Sequence, residues 1–273
     1  MTMNAVLLVL YALAGVAYVI QFSRRTFGRS RAATVLLVVA AFAHTFVIGM
    51  ETMRVGHIPI ASATSATSSF VWLLALSYLY IELTTGERAM GVFILPLLVA
   101  LQAIPAASPA LEPRSALLES PWFGVHVSSL LFAYASFAIA AVLGITYVLQ
   151  FNEIKAKTLG FFYARLPSLN VLDDMNLRAV KIGWLLLTVG LAAGAMWAWQ
   201  LEPKSDGLAM MSLADPKIFV AVLSWAVYSF ELYAQRAIGW RGRRAAWLSA
   251  VGFGIVLLNF VPVSYFFTKS HQF

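Results

Sequence analysis

The chain has 273 residues, of which 61% are hydrophobic and 11% are charged. A soluble domain carries about 25% charged residues, so this composition excludes both a soluble globular protein and a disordered one. The formal net charge of +7 does not indicate a nucleic-acid partner, because basic residues in a membrane protein first report its orientation. A membrane-spanning helix needs about 20 residues, which leaves room for about eight spans. The composition therefore predicts a multi-pass membrane protein in contact with lipid.

Apolar runs separated by charged breaks predict an all-α integral membrane protein with eight transmembrane helices in one domain, residues 1–273. The predicted spans lie near residues 3–22, 33–50, 66–84, 89–105, 122–151, 179–201, 216–237 and 245–267. The first run is followed, not preceded, by arginines, the reverse of a signal peptide, so we expect it to remain as a span. A short amphipathic helix is expected around Leu159 to Leu172.

The distribution of basic residues predicts how these spans are oriented. With an external N-terminus, fourteen of the 19 Lys and Arg residues fall in cytoplasmic loops and five fall on the other side. An excess of this kind marks the cytoplasmic side of a membrane protein. Both termini are therefore expected to be external.

The four histidines all fall in the external half of this topology. His57 lies in the first external loop, His126 about one turn inside the fifth span, and His271 just beyond the last span, while His44 lies in the outer half of the second span. Imidazole is a common ligand for haem iron and for other transition metals, so two histidines from different helices could hold a flat cofactor. An ionisable residue inside a span, such as His44, is usually functional. For each of the others, a plain interfacial role stays open.

Aromatic residues form a second group near the same surface. Trp197 and Trp199 end the sixth span, and Asp215 with Pro216 begins the seventh. The two tryptophans fit a platform beside a flat cofactor, but tryptophan is also enriched at membrane interfaces in general. Asp215 followed by proline is equally typical of a helix N-cap.

Other kinds of chemistry find no support in the sequence. It contains no phosphate-binding glycine loop followed by Lys and Ser/Thr, and no HExxH motif. The absence of cysteine excludes thiolate metal sites and covalent haem attachment to this chain. Ionisable residues inside the spans are limited to His44, Glu82 and Glu231, fewer than a proton-coupled carrier usually shows. A binding or assembly role is favoured over an enzyme.

Four segments, in chain order, carry a resemblance to a known family. They are residues 56–62 (GHIPIAS), 121–127 (PWFGVHV), 194–199 (GAMWAW) with 215–217 (DPK) and 225–228 (WAVY), and 239–246 (GWRGRRAA) with Gly252, Phe253, Asn259 and 270–271. Together they resemble the haem-handling cytochrome c assembly family that includes CcsA and CcmC. The chain is most similar to the eight-span HemX/YpjD branch of that family.

The resemblance implies a non-covalently bound haem, haem b, at the external face of a bacterial inner membrane. It matches His126 and His271 to two axial ligands of the iron, and His57 and His44 become candidates for a second site. The pocket-lining residues implied by the same match are Trp122, Trp197, Trp199 and Asp215.

The chain also departs from the family pattern in ways that bear on its activity. The tryptophans expected before Asp215 are replaced by residues 210–214 (MMSLA), Ile218 stands where many members have Glu, and Tyr233 stands where CcsA-type members carry a membrane histidine. These differences favour a member that binds haem or assists cytochrome c assembly or haem biosynthesis, with proteins of those processes as partners, over the complete haem-attaching synthase.

Two further functions stay open at this point. One is a membrane scaffold or regulatory protein whose basic cytoplasmic loops, residues 152–178 and 241–244, bind a partner. The plainer interpretation of these residues is that they orient the spans and contact anionic lipid. The other is a membrane electron carrier whose haem is reduced by quinol.

Overall fold

A computed structural model describes residues 3–24, 30–108, 120–157, 160–200 and 216–258, and every regular element in these ranges is helical. The elements are α1 (Met3–Arg24), α2 (Ala32–Val55), α3 (Ala63–Thr85), α4 (Gly91–Ala107), α5 (Pro121–Lys155), α6 (Phe161–Arg165), α7 (Leu169–Gln200), α8 (Pro216–Tyr233) and α9 (Arg243–Leu258). One π-helical turn, Ala234–Ile238, continues α8. The all-α prediction is confirmed over these residues.

Six of the described helices are long and apolar enough to cross a membrane. They are α1, α2, α3, α5, α7 and α8 with its π-helical continuation. Helix α4 is apolar but has only 17 residues, and α9 has 16 in the described range. The prediction of a multi-pass membrane protein is therefore confirmed with six candidate spans. The end of the predicted eighth span, up to residue 267, lies outside the described residues.

The helices pack as two units. Helices α1 to α4 form the first unit, and helices α5, α7, α8 and α9 form the second, with α5 in contact with both α7 and α9. Contacts of α3 with α5 and α7 join the two units. Tyr11, Tyr18 and Leu74 are fully buried in the first unit, and Phe137 stacks on Tyr228 in the second. The fully buried tyrosines are all in contact with polar neighbours, as buried hydroxyl groups require.

Glycines on α7 allow it to approach α5 closely. Small residues at a helix–helix interface let two membrane helices pack backbone against side chain. A Cβ at any of three α7 positions would come within 2.5 to 2.8 Å of an α5 side chain: Gly183 (Phe137), Gly190 (Leu130) and Gly194 (His126). These positions are seven and four residues apart, so they share one face of the helix. This seam, which we call the glycine seam, sets the position of His126.

The connection between α5 and α7 differs from the prediction. The expected amphipathic helix shrinks to the five residues of α6, because Pro167 disfavours helical dihedrals at Leu166, which is extended at φ −90° and ψ 159°. Helix α7 then begins at Leu169, well before the predicted start of the span at residue 179. Its first turns carry charged residues, so the helix is longer than the span that the hydrophobic run indicated.

Acidic residues within the helices have hydrogen-bond donors. Glu82 is buried and accepts hydrogen bonds from Tyr18 and from the hydroxyl of Thr34 at 2.5 Å. Glu231 is also buried and accepts one from Ser249 at 2.6 Å. Because burial of a polar group without a partner is costly, these contacts stabilise the Glu82 carboxyl group and one oxygen of Glu231 between helices. The other oxygen of Glu231, Oε2, is buried and has no hydrogen-bond partner in the described residues.

Candidate functional site

Three histidines lie at one end of the helix bundle, which we call the histidine end. It is the end at which α1, α3, α5 and α8 begin and α2, α4 and α7 finish. Two side-chain contacts between helices lie at this end: Asn4 with Gln102, and Phe123 with Trp197. A third contact, between Trp225 and Thr188, lies more than one helical turn deeper in the bundle. The three histidines are His44, His57 and His126. His271 and Asp215, which the sequence also singled out, lie outside the described residues.

His126 lies about one and a half turns into α5 and is held by α7. Its Nδ1–H donates a hydrogen bond to the carbonyl oxygen of Gly190 at 2.7 Å. A carbonyl only accepts, so Nδ1 carries the proton and Nε2 of the neutral ring keeps its lone pair. Histidines that bind metals typically donate their other N–H group to a carbonyl or carboxylate in this way. The ring is therefore held in the tautomer that a ligand of haem iron requires.

The imidazole of His126 occupies space that α7 leaves open at Gly194. A Cβ at that position would lie 2.5 Å from both Cε1 and Nδ1 of the ring. Gly190 and Gly194 form a G-x-x-x-G pattern in an apolar helix, which is a recognised signal for close helix packing. The sequence interpretation missed this role, although the pattern was visible.

The two tryptophans at the end of α7 have different environments. Trp197 is 4% exposed and packs against Phe123 of α5, with ring centroids 5.1 Å apart. Trp199 is 79% exposed, and Trp122 at the start of α5 is half-buried. Residues two apart on a helix point about 200° apart, so only one of the pair can face α5. Trp197 stabilises the α5–α7 contact next to His126, and Trp199 lies on the surface.

The loop between α2 and α3 brings His57 to the histidine end. His57 is 6% exposed, and its Nδ1–H donates to the carbonyl of Ile58 at 2.9 Å. Ser69 of α3 donates to the carbonyl of Pro59 at 2.8 Å, and the Ile58 side chain reaches the α5 backbone at Gly124. The loop is thus attached to both units, and His57 has the same tautomer as His126.

His44 is fully buried among the helices of the first unit. Its Nδ1 lies 3.0 Å from the Tyr11 hydroxyl and its Nε2 lies 3.0 Å from the Ser68 hydroxyl. Ser68 donates onward to Asn4 Oδ1 at 3.3 Å, and the Gln102 amide donates to the same oxygen at 3.3 Å. Both ring nitrogens therefore have partners within the protein. This network accounts for a histidine inside a span without a metal.

No cluster of three or more His, Cys, Asp or Glu residues in the described ranges is arranged to hold a bare metal ion. The histidines His44, His57 and His126 lie on different elements of the fold.

Comparison with known proteins gives a family for this chain. The profile of the family described as cytochrome C assembly protein matches residues 2–271. A protein of Guillardia theta named cytochrome c biogenesis protein CcsA is 25% identical over 256 residues, covering 86% of this chain and 83% of its own length. The CcsA of Synechococcus elongatus is 24% identical over 274 residues, covering 84% of this chain and 82% of its own length. The CcsA of Trieres chinensis is 22% identical over 286 residues, covering 93% of this chain and 90% of its own length.

The family match extends over nearly the whole chain, and the relatives are covered over most of their own length. The resemblance that the four motif segments indicated is therefore confirmed at the level of the family. This chain belongs to the cytochrome c assembly protein family.

Proposed function

We propose that this chain is a haem-handling membrane protein with a role in cytochrome c assembly. The process comes from its relatives, which are named as cytochrome c biogenesis proteins. The observation in the chain itself that carries the proposal is His126, whose Nδ1–H bond to Gly190 leaves Nε2 as the basic nitrogen.

In this proposal His126 and His271 would hold a non-covalently bound haem b through their imidazole nitrogens, and the haem would supply redox chemistry when bound. Gly190 orients the His126 ring, and Gly194 leaves room for it. Aromatic residues near the ring suit the flat apolar faces of a porphyrin. The remaining proposed pocket residues are Trp122, Trp197, Trp199 and Asp215.

His57 and His44 form the alternative ligand pair. Coordination through Nε2 of His57 would keep the hydrogen bond that its Nδ1–H donates to the carbonyl of Ile58. His44 would first have to break its hydrogen bond with Tyr11 or with Ser68, which costs free energy in a buried network. We therefore rank this pair second.

We further propose that the chain forms one domain of eight spans in a bacterial inner membrane, with both termini on the external side. The support is the excess of basic residues in alternate loops. One described basic side chain supports this arrangement. Arg165 of α6 lies over the ring of Phe22 near the end of α1, which is the end of the bundle opposite the histidines. The histidine end is then the external end.

A pair of reporter fusions tests this topology. Alkaline phosphatase fused after Phe273 should be active, because it folds only outside the cytoplasm, and a green fluorescent protein inserted at Lys157 should fluoresce. The reverse pattern for Phe273 would mean that the number of spans is odd and that the eight-span proposal is wrong.

A visible absorption spectrum of the protein purified in mild detergent tests the proposed function. We expect a Soret band and, after reduction, the sharp α and β bands of six-coordinate low-spin haem. A protein that shows no Soret band even after haem supplementation would instead favour the scaffold function. Reduction of the bound haem by added quinol would favour the electron carrier.

A further inference from the structure

A second surface of the molecule is marked by charge and lies away from the histidine end. Four arginines cluster where α8 ends and α9 begins: Arg236, Arg241, Arg243 and Arg244. The ion pair between Arg54 and Glu51 lies elsewhere, and no carboxylate within the described residues forms an ion pair with any of the four cluster arginines. A concentration of unpaired guanidinium groups at one point indicates an anionic ligand.

Three of these arginines, Arg241, Arg243 and Arg244, line a cleft of about 740 Å³. Its walls are Tyr147 and Phe151 of α5, the loop 238–242 and the first turns of α9. The carboxylates of Asp173 and Asp174 line a neighbouring cleft rather than this one. We call the first of the two the arginine cleft.

Aromatic rings hold two of the guanidinium groups in place. The Cζ atom of Arg243 lies 5.7 Å from the ring centre of Phe151, and that of Arg244 lies 5.3 Å from the ring centre of Trp240. A guanidinium group stacked on an aromatic face keeps its N–H groups free to bind an anion at its edge. Less side-chain entropy is then lost when a ligand binds.

The backbone of the loop is also fixed before any ligand arrives. Gly239 and Gly242 have φ values of 74° and 67°, in the left-handed region that favours glycine. The N–H group of Gly242 donates to Asp173 Oδ1 at 2.9 Å, and a Cβ at Gly242 would lie 2.4 Å from the Tyr147 hydroxyl oxygen. The loop therefore rests against α5 and α7, and the cleft is a built feature of the fold.

The surroundings of the cleft point to a lipid. Ile238 is 52% exposed and Trp247 is 51% exposed, and both line the cleft at the ends of membrane helices. Tryptophan is enriched at the level of lipid headgroups, and clustered basic residues beside a membrane helix attract anionic lipids. Arginine binds phosphate oxygens through two parallel N–H groups, which lysine cannot do.

We propose that the arginine cleft binds the phosphate of an anionic phospholipid through Arg243 and Arg244, with the acyl chains along the apolar surface beside Ile238 and Trp247. This site does not depend on haem binding. It would anchor the α8–α9 connection in the headgroup layer.

Native mass spectrometry of the detergent-purified full chain, titrated with phosphatidylglycerol or phosphatidylcholine, tests the proposal. Phosphatidylglycerol should bind more tightly, and the double variant Arg243→Gln/Arg244→Gln should weaken its binding about tenfold or more, since a direct hydrogen bond from a charged guanidinium group to the phosphate contributes about tenfold. The control Arg24→Gln/Arg31→Gln removes two exposed arginines from the first unit and should change binding by less than about twofold.

Several outcomes would overturn the proposal. An equal loss in the control variant would mean that total charge, not the cleft, attracts the lipid. Complete displacement of phosphatidylglycerol by millimolar inorganic phosphate would show a site for free phosphate instead. If the double variant does not fold, the charge-conserving pair Arg243→Lys/Arg244→Lys should still bind about threefold more weakly, because it lacks the planar fork. Full retention of binding in that pair would also contradict the proposal.

Discussion

Replacement of His126 with Ala is expected to remove haem from the purified protein or to convert its spectrum from a six-coordinate to a five-coordinate form. The reason is that the substitution deletes the proposed ligand nitrogen together with the hydrogen bond that holds the ring on the Gly190 carbonyl. His271→Ala should have the same effect from the other side of the iron. The ratio of haem to protein and the reduced absorption spectrum measure both changes.

His44→Ala provides the matched control for the loss of a buried imidazole. It removes the hydrogen-bond partner of the buried Tyr11 hydroxyl, which should cost about 1 to 3 kcal/mol of stability, while the Ser68 hydroxyl keeps its hydrogen bond to Asn4. The melting temperature should therefore fall while the spectrum of the bound haem stays unchanged. If instead His126→Ala and His271→Ala both keep full haem occupancy and an unaltered spectrum, the ligand assignment is wrong, and His57 with His44 becomes the leading pair.

Gly194→Ala is expected to lower haem occupancy about as much as the loss of His126, although it changes no ligand. The new methyl group would lie 2.5 Å from two atoms of the His126 ring, so the ring must leave its position or the helices must separate. Overpacking of this kind typically costs about 1 to 3 kcal/mol. Helix α7 cannot easily move away, because Gly183 and Gly190 are packed against α5 along the same seam. Haem content and melting temperature should fall together.

Gly49→Ala is the control for this prediction. Gly49 lies in α2, and a Cβ there would meet no atom within 4 Å. The same substitution at this open helical position should be neutral or stabilising by about 0.5 to 1 kcal/mol, as expected when alanine replaces glycine in a helix. A Gly194→Ala protein with normal haem content and a normal spectrum would show that the His126 ring does not depend on the glycine seam.

The sequence by itself determined that this is a multi-pass, all-helical membrane protein, and it located the candidate residues along the chain. Long apolar runs suffice for this purpose because a lipid-exposed backbone must satisfy its hydrogen bonds within its own segment, so each helix depends mainly on local composition. Because successive spans run in opposite directions, the sequence also predicted that His44, His57 and His126 lie toward the same end of the bundle. The structure describes all three residues, and they lie toward one end. The short α6 was less predictable, since one proline ended a helix that hydrophobicity alone would have extended.

Only the tertiary structure decided what each candidate residue does. His44 looked functional as an ionisable residue inside a span, but Tyr11 and Ser68, 33 and 24 residues away in the chain, occupy its two nitrogens. The tautomer of His126 depends on a carbonyl 64 residues away, and the room for its ring depends on Gly194. Periodicity reports which residues share a helix face, but it does not report which helix lies opposite that face. The pairing of α5 with α7 arises from packing between segments distant in the chain, and it gives His126 its orientation.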